Sequence, residues 1–374
     1  MNCKIAIDMC YYGRIHLGGK DEAAYNLLRG FEEIGVSDQI VCFVYREMTE
    51  KISFISPNIN ICVVPKININ RFINYVRMWL RSFYEERYAR KNNVKLLIMP
   101  LKPTANRRLS IKTMEIPHDI SIFENIHATD DTDRQIRRMK KRITNDFENR
   151  DHIVAISDYD EEEMIKFFPW AKGKIVRLYD PIRFGKCVSN GSKRYITALN
   201  IQWEHKNTAT LIKAFSLIAS SIEYDLILVG RHPDNVESLT KLVRDNDLES
   251  RVFFAGFVSD EELDSIIEKT RVFVNASLFE GFGMTAIEMM GRKVPTIVAE
   301  NTAQPEVTMG LCRYYYPAED HMALAEEIMN EIKEPTSDRE LENIAQAVRG
   351  KYSCEIIARE YWDFIKSVLE ERET

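Results

Sequence analysis

The sequence predicts an α/β protein built from two consecutive units, each a parallel sheet with helices on both faces. Three observations predict it. Short apolar runs alternate with helical patterns along the whole chain, the alternation restarts after a polar Gly/Ser-containing stretch near residue 190, and 374 residues suffice for two domains.

In the first half, strands are predicted at 4–7, 40–45, 61–64, 96–99, 114–117 and 153–156. A helix is predicted over 21–34, with Ala23, Ala24, Leu27, Leu28 and Phe31 on one face. The polar stretch Arg183–Lys193 reads as a linker, whose centre is 187–192. The second half repeats the alternation, with strands at 195–199, 226–229, 252–255, 272–275 and 296–299. Helices are predicted between them at 208–220, 236–246, 260–269 and 285–291, and three more close the chain at 322–332, 339–348 and 355–372. Two such Rossmann-like halves imply a cleft, with the chemistry on loops that follow strands.

Composition narrows the class. Apolar residues make up 45% and charged residues 29%, as in an ordinary globular chain. Residues 1–190 carry 31 Lys/Arg against 25 Asp/Glu, and residues 191–374 carry 20 against 32. Either the halves face different partners or the asymmetry is chance surface composition. Seven scattered cysteines without a C-x-x-C pair argue against a disulfide framework or structural zinc and for a reducing cytoplasm. No secretion signal or membrane-spanning run is visible, so any membrane contact is expected to be peripheral.

The strongest local signal is Ser277-Leu278-Phe279-Glu280-Gly281-Phe282-Gly283-Met284-Thr285-Ala286-Ile287-Glu288, between a predicted strand and a predicted helix. Glycines around Phe282 let the backbone turn tightly, and its amides with the helix N-terminus suit a diphosphate. Glu280 is placed to point into the cleft, and Glu288, a helical turn or so further, to accept ribose hydroxyls. The competing reading is a plain helix start with solvated acids.

With Lys293-Val294-Pro295 to Ala299 and Gln304-Pro305-Glu306-Val307 behind it, this segment resembles the signature of family 4 of the retaining GT-B glycosyltransferases. Gly18-Gly19, Pro117-His118-Asp119, Val154 to Ser157, Lys174-Ile175-Val176, Asp180-Pro181, Lys206-Asn207 and Leu228-Val229-Gly230 resemble its other motifs in order. The resemblance implies a GT-B fold, two Rossmann-like domains whose parallel sheets face a central cleft. It implies an acceptor-binding domain over 1–186, a nucleotide-sugar-binding domain over 193–354 and a final helix, 355–374, crossing back to the first. It further implies that Glu280 acts at the reacting face of the donor sugar and that His118 faces that sugar. Gly281, Phe282, Gly283 and Met284 would bind sugar and phosphate through backbone amides, and Glu288 the ribose. Lys206 would neutralise the diphosphate, Gly18 and Gly19 form a glycine loop, and backbone near Phe257 and Val258 cradle the base. One departure stands out: related sequences often carry an arginine where this chain has Ile201, so Arg231 or His205 would replace it.

The implied activity is transfer of a hexose, with retention, from a nucleotide-diphosphate sugar to a glycan or lipid-linked acceptor in surface polysaccharide or glycolipid synthesis. No cofactor, metal or nucleic acid is expected. The alternatives are a catalytically silent sugar-nucleotide-binding protein and another GT-B enzyme, such as a nucleotide-sugar epimerase. Asp131/Asp133, Asp158/Asp160 and Asp245/Asp247 form D-x-D patterns of the kind that hold a metal, but Ser157 to Glu161 also reads as a capped helix start. The basic, apolar helix predicted over 71–91 either lies on an anionic membrane at the inner face or packs on its own sheet. The run 134–142 is similarly either an acceptor-facing patch or a solvated helix.

Overall fold

Short β-rich runs become buried central strands because both faces of a parallel sheet are covered by helices. In the computed structural model this happens twice. The structure describes residues 3–10, 18–65, 74–100, 107–118, 120–124, 132–186, 193–231 and 236–370. The chain divides into Met1–Pro181 with Tyr352–Thr374, and Ile182–Lys351. Residues 187–192, read as the linker, lie outside the described residues.

The N-terminal unit has strands β1 (Ile5–Asp8), β2 (Ile40–Val44), β3 (Asn60–Val63), β4 (Leu96–Met99), β5 (Lys112–Glu115), β6 (His152–Ala155) and β7 (Ile175–Arg177). They form one parallel sheet in the order β3-β2-β1-β4-β5-β6-β7. Its helices include α1 (Gly19–Glu33), α2 (Thr49–Ile55), α3 (Asn74–Lys91), α4 (Asp133–Glu148) and α5 (Asp158–Phe167). In the C-terminal unit, β8 (Tyr195–Leu199), β9 (Asp225–Val229), β10 (Val252–Gly256), β11 (Thr270–Asn275), β12 (Thr296–Ala299) and β13 (Arg313–Tyr315) make a second parallel sheet. Its order is β10-β9-β8-β11-β12-β13. Helices α6 (Thr208–Ile218), α7 (Val236–Asp245), α8 (Asp260–Glu268), α9 (Met284–Gly291), α10 (Gln304–Val307), α11 (His321–Lys333) and α12 (Asp338–Tyr352) follow, and α13 (Cys354–Glu370) closes the chain.

Strand order reverses between β1 and β4 in one sheet and between β8 and β11 in the other. In both, the first strand sends chains to opposite sides and leaves a crevice at its carboxyl end. Two strands escape the periodicity reading, β7 and β13. Each is three residues long at a sheet edge and carries an arginine, so neither shows the apolar run of a central strand.

Helix α13 packs along α1 in the N-terminal unit. Gly30 makes this possible: a Cβ there would lie 2.2 Å from the Cys354 carbonyl oxygen and 2.6 Å from Ala358 Cβ. Phe31 meets Trp362 edge-on nearby, with ring centroids 6.2 Å apart. Alanine is preferred over glycine in a helix by about 1 kcal/mol, but overpacking costs about 1–3 kcal/mol. Gly30→Ala is therefore expected to lower the melting temperature. Gly350→Ala, in α12 with open space around the new methyl group, is expected to raise it slightly. Thermal denaturation of both variants checks the pair.

Candidate active site

The loops leaving β8 and β11, the strands that flank the reversal, carry the charged centre of the C-terminal unit. After β8 a 3-10 turn over Glu204–Lys206 ends at Asn207, whose φ of 53° is left-handed. Asn207 holds that conformation by donating from Nδ2 to the Ala318 carbonyl (2.9 Å) and accepting the Thr210 hydroxyl (2.8 Å). After β11 the chain runs through Ser277 to Gly283. The Leu278 N–H donates to the His205 carbonyl (2.8 Å), which ties the two loops together.

This brings Lys206 Nζ to 2.6 Å from Glu280 Oε1, with side-chain exposures of 14% and 11%. The same oxygen accepts the Ser277 hydroxyl (2.8 Å) and Asn275 Nδ2 (3.2 Å). The backbone of Glu280 is also held, its N–H donating to the Thr302 hydroxyl (3.1 Å). Asn301 supports the turn by donating to the carbonyls of Ser277 (3.0 Å) and Leu278 (3.1 Å), and buried Gln304 donates to Asn301 Oδ1 (3.0 Å). Burial pushes the Glu280 carboxyl up. The Lys206 ammonium, the hydrogen bonds from Lys206 and Ser277, and nearby His205 outweigh it and hold the group below the ordinary glutamate value of 4.5. Glu280 is thus a carboxylate, suited to stabilise or orient positive charge rather than to deliver a proton.

Gly283 has φ 81° and stands at the N-cap of α9, which no side chain caps. The glycine is needed for that conformation rather than for space, since a Cβ would find its nearest neighbours at 3.8 Å. Gly281, Phe282 and Met284 lie in the same turn and helix start, and the Phe282 ring is buried. Glu288 lies inside α9 with its side chain 31% exposed, 3.9 Å from Arg292. Arg292, buried and 2.6 Å from Asp264, is a partner that the sequence reading did not single out.

Ile201 is buried at 2% exposure and belongs to the core of the unit. Arg231 is exposed and follows Gly230, where a Cβ would lie 2.6 Å from Gln202 Oε1 and 2.9 Å from the Ile201 nitrogen. The Arg231 loop therefore abuts the Ile201 loop at the carboxyl edge of the sheet. Val258 and exposed Phe257 follow the carboxyl end of β10 on that edge.

Gly18, Gly19 and His118 belong to the N-terminal unit, at the carboxyl edge of its own sheet. Gly18 is the N-cap of α1, and its N–H donates to the Asp21 carboxylate (3.2 Å). His118 follows β5 with φ 56° and is buried. Its Nδ1 lies 3.2 Å from Asp180 Oδ2, a buried carboxylate after β7. Asp119 lies outside the described residues.

The D-x-D patterns resolve into local structure. Asp158 pairs with Arg177 (2.9 Å), Asp160 accepts the Ile156 N–H (3.1 Å), and Ser157 caps α5. Asp245 pairs with Lys241, Asp247 has a left-handed φ, Asp133 is in the first turn of α4, and Asp131 lies outside the described residues. Asp8, Cys10 and Glu85 cluster near the carboxyl end of β1, but Arg81 supplies the cation there, 2.8 Å from Asp8 and 3.2 Å from Glu85. The six described cysteines are free thiols.

Residues 183–348 match the model of a family described as glycosyl transferases group 1. The C-terminal unit is a glycosyl transferases group 1 domain. Over 207 residues, 51% of this chain and 53% of the relative, the protein is 28% identical to the O-antigen chain mannosyltransferase B of Escherichia coli. The chain spans about half the length of the curated relatives it matches. Sucrose-phosphate synthase from Thermosynechococcus elongatus superimposes with a TM-score of 0.75 at 18% identity, covering 98% of this chain and 99% of that one. Anabaena Alr3699/HepE, solved with UDP and glucose, gives 0.72 at 15% identity, covering 98% and 100%. These likenesses and the two parallel sheets make the fold GT-B, and the group 1 domain holds Lys206, Glu280 and Glu288.

The low Glu280 value has a sign that can be measured. Stability drawn from it is present above pH 4.5 and is lost as pH falls through the folded value. Breaking a largely buried pair by removing one partner costs about 3–5 kcal/mol, somewhat less here because neither side chain is fully covered. Lys206→Met is expected to melt well below the parent at pH 7 and to approach it as pH falls through the lowered Glu280 value, followed by thermal denaturation from pH 7 downward.

Proposed function

We propose that this protein is a retaining glycosyltransferase that moves a hexose, with mannose the first candidate, from a nucleotide-diphosphate sugar to a glycan or lipid-linked acceptor. The observation that carries this reading is the Lys206–Glu280 pair at the strand-order reversal of a group 1 domain. The relative named as an O-antigen chain mannosyltransferase supports both the sugar and a surface-polysaccharide acceptor.

In this reading the donor diphosphate takes over the Lys206 ammonium. The cation neutralises charge that builds on the leaving phosphate, without a metal. Glu280 then loses its strongest partner and stands as an anion beside an anomeric carbon that becomes oxocarbenium-like. Ser277 and Asn275 keep it in place throughout. Arg231 adds a second cation, the α9 turn binds phosphate or sugar hydroxyls through its amides, Glu288 holds the ribose and backbone at Val258 the base. His118 and the Gly18-Gly19 turn contribute from the N-terminal unit. Retention follows if the acceptor attacks from the leaving-group side, its proton passing to the departing phosphate. Glu280→Gln is expected to cut transfer by at least a hundredfold while nucleotide still binds. A thermal-shift panel of UDP, GDP, dTDP and ADP sugars, then transfer assays with the sugar that stabilises, checks this. Near-normal turnover in the variant removes Glu280 from the role, and binding without transfer or slow hydrolysis favours a silent binding protein.

An anionic membrane as the site of the acceptor is supported by the helices α3 and α4, which pack on one face of the N-terminal sheet. Arg134, Arg137, Arg138 and Lys141 form a single stripe along α4, exposed and with no ion-pair partner among the described residues. On α3, Trp79, Leu80 and Phe83 are 42%, 37% and 43% exposed. Residues 71–73 of the predicted helix lie outside the described residues. Among the described residues no helix is long and apolar enough to cross a membrane. Each basic side chain near an anionic surface contributes about 1 kcal/mol. Reversing Arg137 and Arg138 to Glu is expected to weaken co-sedimentation with phosphatidylglycerol vesicles by at least tenfold. Binding to neutral phosphatidylcholine vesicles should be weak for both forms, and salt should suppress the difference.

A further inference from the structure

The imidazole of His118 is more constrained than burial requires. Its backbone is left-handed, its side chain is 3% exposed, and Nε2 has no hydrogen-bond partner among the described residues while Nδ1 is held by Asp180. A left-handed φ on a non-glycine residue and an unsatisfied buried polar atom are both costly. The turn that presents Asp180 is itself anchored. Asn26 Nδ2 donates to the Pro181 carbonyl (3.1 Å), and Tyr179 packs edge-on against Tyr352, with ring centroids 5.2 Å apart.

A carboxylate accepts a hydrogen bond from the ring nitrogen that faces it only when that nitrogen carries the proton. We propose that Asp180 is a positioning residue that fixes His118 as the Nδ1–H tautomer and leaves the lone pair on Nε2. The expected effect on transfer rests on the glycosyltransferase reading, whereas the tautomer does not. Partners that orient a metal-bound histidine through its second nitrogen typically alter affinity or activity by 10–100-fold when removed, and the same scale is expected here.

Long-range nitrogen–proton spectra of histidine-labelled protein at pH 7.5 test the tautomer without reference to activity, with His118→Gln assigning the signal. A neutral Nδ1–H ring is expected in the parent, and loss of that preference in Asp180→Ala. An Nε2–H ring, or a ring protonated on both nitrogens, overturns the proposal. With GDP-mannose and UDP-glucose as donors, Asp180→Ala is expected to lower transfer or slow hydrolysis by 10–100-fold. Asp180→Asn, which keeps an acceptor oxygen in place, should recover part of the loss, and GDP and UDP affinity should stay unchanged. In a His118→Ala background the Asp180 substitution should cost nothing further, and additive losses would overturn the positioning role. Where neither donor reacts, the glycosyltransferase reading with these donors fails, and the spectra alone decide the tautomer.

Discussion

A lysine and a glutamate brought within 2.6 Å at the mouth of a parallel sheet set the terms for the rest of this site. Each charge alone would carry a desolvation cost of several kcal/mol, so each depends on the other. Two consequences follow. The loops that bear them are braced by asparagine, serine, threonine and glutamine side chains rather than left mobile. A ligand that enters must also offer Lys206 an anion to replace the one it leaves. In the proposed reading a diphosphate meets that requirement.

The N-terminal unit treats the two faces of its sheet differently. On one, α1 and α13 approach so closely that Gly30 has no room for a methyl group. On the other, α3 and α4 display exposed aromatic side chains and a stripe of cations without carboxylate partners among the described residues. Like charges at i, i+3 and i+4 repel and mildly destabilise a helix. Such a stripe is consistent with a surface that meets an anionic partner, and it accounts for part of the charge asymmetry between the halves of the chain.

At the carboxyl edge of that same sheet, Asp180 and His118 form a second buried polar contact, 62 residues apart in sequence. It shares a logic with the first: a side chain is held in an otherwise costly arrangement by a partner from a different loop. Asp158, Asp160 and Asp245, by contrast, are engaged in local contacts, and the cluster of Asp8, Cys10 and Glu85 contains its own cation in Arg81.

The alternation of apolar runs and amphipathic helices determined the fold class and most elements to within a residue or two, because a strand covered on both faces must be apolar throughout. The glycine turn between Glu280 and Glu288 was likewise legible, since a left-handed residue at Gly283 and a helix start leave a local mark. The edge strands β7 and β13 were not, being too short for a period. Nor were the partners. That Glu280 rests on Lys206, 74 residues away, that Ser277, Asn275 and Asn301 brace it, that Ile201 is core, and that Asp180 holds His118 were decided by the tertiary structure. Strand order brings loops together across long stretches of chain, and the energy of a buried charge depends on what those loops place beside it.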